Sequence, residues 1–306
     1  MAEVSIEFNE KSFFYFLLPP IIFAAGYTLK RRNFIRNIMY ILILGLIGTI
    51  LSMIALSVVI IILNEWAFEE QDENKLLQSE CLLLAAVLCA TDTVAALSIV
   101  RESQFPTLNS ILFGEGVVND AVAILIFKAV DEMIRDQGGS SGEVKITMST
   151  VGLTAWKFLY LSILSILTGL LFGLVSAFIS KTFKSFKEHP VKEIFLMVLI
   201  AYLSYVISEL FELSAIMSLF VCGVTMSHYT YHNISSDARI GSVQSINTLG
   251  HATEAFLFIY LGLSIFSIDQ ESFNLPFIIY IMIGGGIARA FSVAIPIGIY
   301  WLIKCR

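Results

Sequence analysis

Long apolar stretches separated by short charged loops run through the whole chain. An α-helix needs about 20 residues to cross the hydrocarbon core of a bilayer. Most of the stretches reach that length, and three of them (12–29, 191–208 and 213–227) are short. The pattern predicts one transmembrane domain over residues 1–306 with nine spanning or near-spanning helices, at 12–29, 38–63, 80–100, 108–130, 153–180, 191–208, 213–227, 250–268 and 276–303.

Composition agrees with a membrane protein. Hydrophobic residues make up 57% of the chain and charged residues only 14%, whereas soluble domains average about 25% charged residues. The net charge of −6, without a basic region, excludes a nucleic-acid partner. The cysteines form no CxxC pair, so we expect neither a structural disulfide nor a zinc site at Cys81, Cys89, Cys222 or Cys305.

Loop charges alternate along the chain and predict its topology. Basic residues follow the first segment and four lysines lie between 181 and 192, whereas acidic residues follow the second and eighth segments. Under the positive-inside rule the N-terminus is outside or lumenal and the C-terminus is cytosolic. The N-glycosylation sequon at Asn233 then falls in a cytosolic loop, so we predict that it is unused.

Ionisable residues inside apolar segments are the candidates for chemistry. Each costs about 2.5–3.5 kcal/mol at a helix centre, so such residues persist where they pair or bind a ligand. The four candidates are Asp92, Glu115, Asp120 and Arg289.

Asp92 lies between two hydroxyl residues, Thr91 and Thr93, in the third segment. Such a cluster can open a helix and free backbone carbonyls for an ion. The alternative is that the carboxylate caps the positive N-terminal end of a half-helix. The sequence leaves both roles open.

The fourth segment carries two carboxylates and an amide within six residues, in FGEGVVNDA (113–121). Glu115 and Asn119 are four residues apart and share a helix face. Gly114 and Gly116 permit close approach of a neighbouring helix. The alternative is a segment end at the membrane interface, where carboxylates are solvated.

Arg289 lies deep in the last segment and needs a carboxylate partner, for which Glu115, Asp92 and Asp120 are the candidates. If Arg289 neutralises one acid, another is left to titrate. A proton or a metal cation can each neutralise a carboxylate in a dehydrated cavity, but not both together. Exposing that site alternately to each side of the membrane gives obligatory exchange.

Several motifs in this order resemble the sodium(potassium)/proton exchangers. FGEGVVNDA resembles their hallmark segment, LLPPIIF (17–23) an early helix, and GVTMSHYTYHN (223–233) a later loop. The resemblance runs from about residue 12 to 303. It implies an all-α polytopic membrane protein, an inverted-repeat helical bundle with crossed broken helices that is incomplete here. It also implies a transporter rather than an enzyme, without a cofactor and acting as a homodimer.

The resemblance assigns roles to residues that match the motifs. Asp120 corresponds to the carboxylate that binds the proton and, transiently, Na⁺ or K⁺. Asn119 is its neighbour in the Asn–Asp pair associated with electroneutral exchange. Thr91 and Asp92 match the unwound crossing helix, with the Thr91 carbonyl as a ligand.

The remaining matches are structural. Glu115 and Arg289 match an ion pair that holds two core helices together. Thr253 and Glu254 fall in the segment expected to hold the second broken helix. Thr93 stands where many relatives have Pro, which weakens the expected unwinding.

The family core has about thirteen helices, so we expect this chain to be truncated, lacking two or so helices at the start and one at the end. GEGVVND and SHYTYHN favour an endosomal, Golgi or vacuolar membrane over the plasma membrane. We therefore predict electroneutral exchange of Na⁺ or K⁺ for H⁺ by alternating access, with cation and proton competing for Asp120.

Rival functions remain. One is a non-transporting partial exchanger that associates with a full-length relative. Another is a cation channel, against which the buried Arg289 argues. His228 and His232 have a spacing that can hold zinc on a helix, but without acidic or cysteine ligands they are expected to be solvated or bonded to backbone.

Overall fold

The computed structural model describes residues 13–29, 31–67, 75–91, 93–100, 103–136, 148–183, 187–265 and 274–304. Within these ranges the regular elements are helices. In chain order they are π1 (Phe13–Leu17), α1 (Leu18–Thr28), α2 (Arg31–Arg36), α3 (Ile38–Leu42), π2 (Ile43–Ile47), α4 (Gly48–Ala67), α5 (Gln78–Leu88), α6 (Val94–Ile99), α7 (Pro106–Asp136), α8 (Met148–Thr182), α9 (Pro190–Leu210), α10 (Ala215–His228), α11 (Thr230–Asn233), α12 (Ser236–Ile265) and α13 (Leu275–Lys304).

Five of the described helical stretches are long and apolar enough to cross a bilayer. They are Ile38–Ala67, Pro106–Arg135, Ala155–Thr182, Pro190–Leu210 and Leu275–Gly298. Phe13–Thr28 and Gln78–Leu88 are apolar but shorter. The chain is therefore an all-α, multi-pass membrane protein, as predicted. The number of spans and the sidedness of the termini stay predictions.

The third apolar segment is interrupted. Helix α5 ends at Leu88 and α6 begins at Val94. Of the residues between, Ala90, Thr91 and Thr93 belong to neither helix, and Asp92 lies outside the described residues. The predicted unwinding is thus present although Thr93 replaces the proline of many relatives.

The predicted second broken helix is wrong. Thr253 and Glu254 lie inside α12, which runs from Ser236 to Ile265 without a break. The Thr253 hydroxyl donates a 2.6 Å hydrogen bond to the Leu249 carbonyl four residues earlier, so its polar group is satisfied within the helix. No proline occurs in α12, so no backbone donor is missing from its ladder.

The chain divides into two compact units. Unit 1 comprises Met1–Arg31 and Leu161–Phe273, and unit 2 comprises Arg32–Tyr160 and Asn274–Arg306. The boundary between residues 160 and 161 falls inside α8.

In unit 1, α1 packs against α10 and α12, and α9 packs against α10. Two glycines bring the backbones of α1 and α10 together. A Cβ at Gly26 would lie 2.6 Å from the Phe220 carbonyl oxygen, and one at Gly223 would lie 3.1 Å from the Tyr27 nitrogen. Such close approach is how helices associate in lipid, where burial of apolar surface gives no advantage over lipid contact.

Hydroxyl groups connect the helices of unit 1 in its interior. The Tyr27 and Ser242 hydroxyls share a 2.9 Å hydrogen bond between α1 and α12. Ser204 and Ser218, both fully buried, share one of 2.8 Å between α9 and α10. The side chain of Asn233 donates to the Ala177 carbonyl of α8 at 3.0 Å, so the sequon asparagine has a structural contact.

In unit 2, α4 packs against α13, α5 and α7. One apolar cluster is built around Leu56 and Ile60 of α4, Ala85 of α5 and Ala288 of α13. A second joins α5 to α7 through Ala86 and Val122. These contacts fix the interrupted segment and α7 within the same unit.

We predict that Gly26→Ala lowers the thermal stability of the purified chain, because the added methyl group has no space at the α1–α10 contact. Overpacking of this kind costs about 1–3 kcal/mol. Gly262→Ala is the matched control, because nothing lies within 4 Å of a Cβ there. Replacing that helical glycine should leave stability equal or raise it by about 0.5–1 kcal/mol. Equal melting temperatures for the two variants would contradict the close contact.

Candidate ion-binding site

Helix α7 presents the three polar residues of the fourth segment in different environments. Glu115 is 6% exposed, Asn119 is fully buried, and Asp120 is exposed. All three lie well inside a 31-residue uninterrupted helix. Side chains at a helix end near the membrane interface would be solvated, whereas Glu115 and Asn119 are buried. Both side chains also make specific contacts.

Glu115 forms an ion pair with Arg289 of α13. Arg289 Nη2 donates to Glu115 Oε1, and the two side chains are only 18% and 9% exposed. Of the three acids considered as partners, the structure places Glu115 against the guanidinium. Arg289 Nη1 is buried without a hydrogen-bond partner among the described residues. The pair joins α7 to α13 within unit 2.

Asn119 links α7 to two other segments. Its Oδ1 accepts a 2.6 Å hydrogen bond from the Thr49 hydroxyl of α4. Its Nδ2 lies 3.3 Å from both the carbonyl oxygen and the hydroxyl of Thr91, in the interrupted segment. The Asn119 side chain therefore both accepts and donates hydrogen bonds. It donates to the Thr91 carbonyl, which has no partner within the described part of the broken helix.

Two glycines let neighbouring segments approach this part of α7. A Cβ at Gly116 would clash with the Thr93 side chain, and one at Gly114 would lie 2.6 Å from Ile41 of α3. The predicted close approach at both glycines is present. At Gly116 the neighbour is the interrupted segment rather than a helix.

Asp120 differs from the expectation of a dehydrated cavity, because it is exposed. Its neighbour Asn119 faces the interior and holds this turn of α7 in place. The structure thus presents the carboxylate on a fixed support. Asp92 lies outside the described residues.

Thr253 and Glu254 belong to unit 1. His251 Nδ1 lies 3.4 Å from Glu254 Oε2, and the histidine side chain is 80% exposed. The described residues contain no group of three or more His, Cys, Asp or Glu side chains that could hold a metal ion.

Thr49 is a site residue that the sequence reasoning missed. It is fully buried in α4, and its hydroxyl lies between Asn119 Oδ1 and the Gly45 carbonyl. The signal available was a hydroxyl residue next to glycine in an otherwise apolar stretch. Only the fold shows that this hydroxyl meets the amide of Asn119.

The arrangement separates structural from exposed charge. Glu115 and Arg289 offset each other in a poorly hydrated position, and Asn119 fixes α7 against the interrupted segment. Asp120 is an exposed carboxylate on the turn of α7 that Asn119 ties to α4 and to the interrupted segment.

We predict that Glu115→Gln destabilises the chain by about 3–5 kcal/mol, because Arg289 is left as a buried unpaired charge. Glu115→Gln combined with Arg289→Gln should recover part of the loss, because the second change removes that charge. Thermal unfolding of the purified variants measures both effects.

The control for this prediction is an exposed ion pair on the same helix. Arg135 Nη2 lies 2.8 Å from Asp131 Oδ2, with side chains 76% and 31% exposed. Asp131→Asn should cost at most about 1 kcal/mol. Losses of equal size for Glu115→Gln and Asp131→Asn would contradict a buried, structural pair at Arg289.

Comparison with known proteins assigns the chain to a family. The family described as "Sodium/hydrogen exchanger, transmembrane" matches residues 6–303. Sodium/hydrogen exchanger 3 of Arabidopsis thaliana is 37% identical over 264 residues, which cover 86% of this chain and 50% of that protein. Sodium/hydrogen exchanger 9 of Rattus norvegicus is 31% identical over 292 residues, covering 94% of this chain and 44% of that protein.

The chain therefore spans about half the length of the curated relatives it matches. The match extends through the described helices of both units and includes the FGEGVVNDA segment. On this evidence the chain belongs to the sodium/hydrogen exchanger family.

Proposed function

We propose that this chain exchanges Na⁺ or K⁺ for H⁺ across a membrane, with the cation and the proton competing for Asp120. The observation that carries the proposal is the exposed Asp120 carboxylate beside the fully buried, hydrogen-bonded Asn119. Membership of the sodium/hydrogen exchanger family supports Na⁺ and H⁺ as the ligands.

Competition at one carboxylate explains a fixed exchange ratio. A bound proton removes the negative charge to which the cation is attracted, so occupancy by one excludes the other. One cation then exchanges for one proton, and the cycle is electroneutral. Alternating access requires the loaded site to be exposed to each side in turn. The Glu115–Arg289 pair keeps its own charges balanced during that cycle.

The interrupted segment supplies further oxygen atoms near Asn119. The Thr91 carbonyl accepts from Asn119 Nδ2 and retains a second lone pair, so it is a proposed cation ligand. Asp92 follows directly in the sequence, and we propose that it either caps the following half-helix or contacts the ion.

A non-transporting partial exchanger that associates with a full-length relative is the alternative that the transport assay below tests. A cation channel is less well supported, because the family to which the chain belongs is described as a sodium/hydrogen exchanger.

The cellular setting is also a proposal. The GEGVVND and SHYTYHN motifs support an endosomal, Golgi or vacuolar membrane, and the loop charges support a cytosolic C-terminus. A homodimer is the proposed assembly. Imaging of a C-terminally tagged chain, with and without selective permeabilisation of the plasma membrane, tests both location and sidedness.

We predict that Asp120→Asn abolishes cation-driven proton efflux, because an amide neither binds a proton at neutral pH nor carries the charge that attracts a cation. The assay is the fluorescence of a pH dye trapped in sealed liposomes that contain the purified chain, after external Na⁺ or K⁺ is added. Asp131→Asn, on the same helix, is the control and should transport as the unchanged chain does.

Two outcomes would count against the proposal in different ways. Wild-type efflux from the Asp120→Asn variant would remove Asp120 as the binding site. Absence of efflux from unchanged chain that is shown to be folded would favour the non-transporting form.

A further inference from the structure

Unit 1 contains a basic cavity that the proposed exchange does not use. Its volume is about 470 Å³, and its polar lining includes Lys181, His228, Tyr229, His232 and Asn233. Among the described residues, no acidic side chain lines it. The lining comes from the C-terminal part of α8 (Leu174 to Lys181), from the end of α10 and from α11, all of which belong to unit 1. The electrostatics of this cavity therefore favour an anion.

An apolar groove adjoins the basic cavity. The groove has a volume of about 520 Å³ and is lined by Leu167, Leu170, Leu171, Leu174, Val175 and Phe178 of α8. Leu174 and Phe178 line both the groove and the basic cavity. The two spaces therefore lie side by side on α8.

The dimensions of the groove match a lipid chain. From Leu167 to Phe178 the helix rises about 16 Å, at about 1.5 Å per residue. One leaflet of the hydrocarbon core is about 15 Å thick, half of the roughly 30 Å core. Lys181 lies at the end of the apolar stretch Ala155–Thr182, where headgroups are expected. The groove then runs from the headgroup level into the hydrocarbon.

We propose that the cavity and groove together bind one anionic phospholipid. The headgroup phosphate lies against Lys181 and the two histidines, and one acyl chain lies along α8. Basic cavities between transmembrane helices on the cytosolic side recognise anionic headgroups in this way. Tyr229 is half exposed at the same level, a position suited to a side chain that is apolar on its face and polar at its tip.

A structural explanation accounts for part of this arrangement. Lys181, His228 and His232 each lie in the last turn of a helix, where positive charge stabilises the helix dipole. Dipole stabilisation does not require the three to share a cavity or that cavity to open onto a groove. Arg239 adds positive charge nearby, since its Nη2 donates to the His232 carbonyl at 2.8 Å.

The test measures lipid binding to the purified full chain in a neutral detergent. The probes are dioctanoyl phosphatidylserine and dioctanoyl phosphatidylinositol 4-phosphate, with dioctanoyl phosphatidylcholine as the zwitterionic reference. We expect at least one anionic probe to bind at least tenfold more tightly than phosphatidylcholine. A smaller preference for both would overturn the proposal.

Variants locate the headgroup site. Lys181→Gln should weaken binding of the anionic probe about fivefold, the loss expected for one basic residue near a charged headgroup. Lys187→Gln is the matched control, because Lys187 is an exposed lysine of the following loop outside the cavity lining. Equal weakening by both variants would indicate general attraction to positive charge and would overturn the assigned site.

The acyl chain is tested separately from the phosphate. Leu171→Trp fills the groove without touching the basic cavity, so it should weaken lipid binding and leave binding of deacylated glycerophosphoinositol 4-phosphate unchanged. If the deacylated headgroup or inorganic phosphate binds the unchanged chain as tightly as the lipid does, the site takes free phosphate. That result would overturn a lipid ligand. Melting temperatures of all variants confirm that they fold.

Discussion

A polar group on a membrane-embedded helix is costly unless it has a partner inside the protein, because the surrounding lipid offers none. The contacts of Asn119 show how this constraint shapes unit 2. Interrupting the third apolar segment frees the Thr91 carbonyl, which accepts a hydrogen bond from Asn119 Nδ2. The Asn119 Oδ1 atom accepts one from the Thr49 hydroxyl. Because residue 93 is threonine, no proline forces the break. The interrupted conformation is instead stabilised by the buried Asn119 amide on α7. If this segment were an intact helix, the Thr91 carbonyl would not be free to accept a hydrogen bond from that amide.

The same constraint accounts for the hydroxyl contacts of unit 1 and for the ion pair of unit 2. Ser204 and Ser218 hydrogen-bond to each other, and Glu115 forms an ion pair with Arg289. Glycines make such contacts possible because they let segments approach closely, as at Gly26 and Gly116. Small residues and internal polar bonds thus replace the hydrophobic effect, which does not drive helices together in lipid.

The sequence predicted features that depend on local pattern. The all-α membrane fold follows from the apolar stretches, and the pairing of Arg289 follows from the cost of an isolated buried charge. Choosing Glu115 over Asp92 and Asp120 required the resemblance, since spacing alone does not bring residues 115 and 289 together. Thr49 could not be predicted, because a single hydroxyl in an apolar stretch usually bonds to its own helix. At Thr253 the structure shows no break, and the Thr253 hydroxyl bonds to the Leu249 carbonyl within α12.

Exposure of Asp120 changes the physical argument for exchange. A deeply buried carboxylate would be held neutral by desolvation, and a cation would have to overcome that cost. An exposed carboxylate keeps much of its hydration, so a hydrated cation can approach it with a smaller desolvation penalty. Under the proposed mechanism, selectivity comes from oxygen ligands that replace water around the cation. The Thr91 carbonyl, which accepts from Asn119 Nδ2, is the proposed ligand.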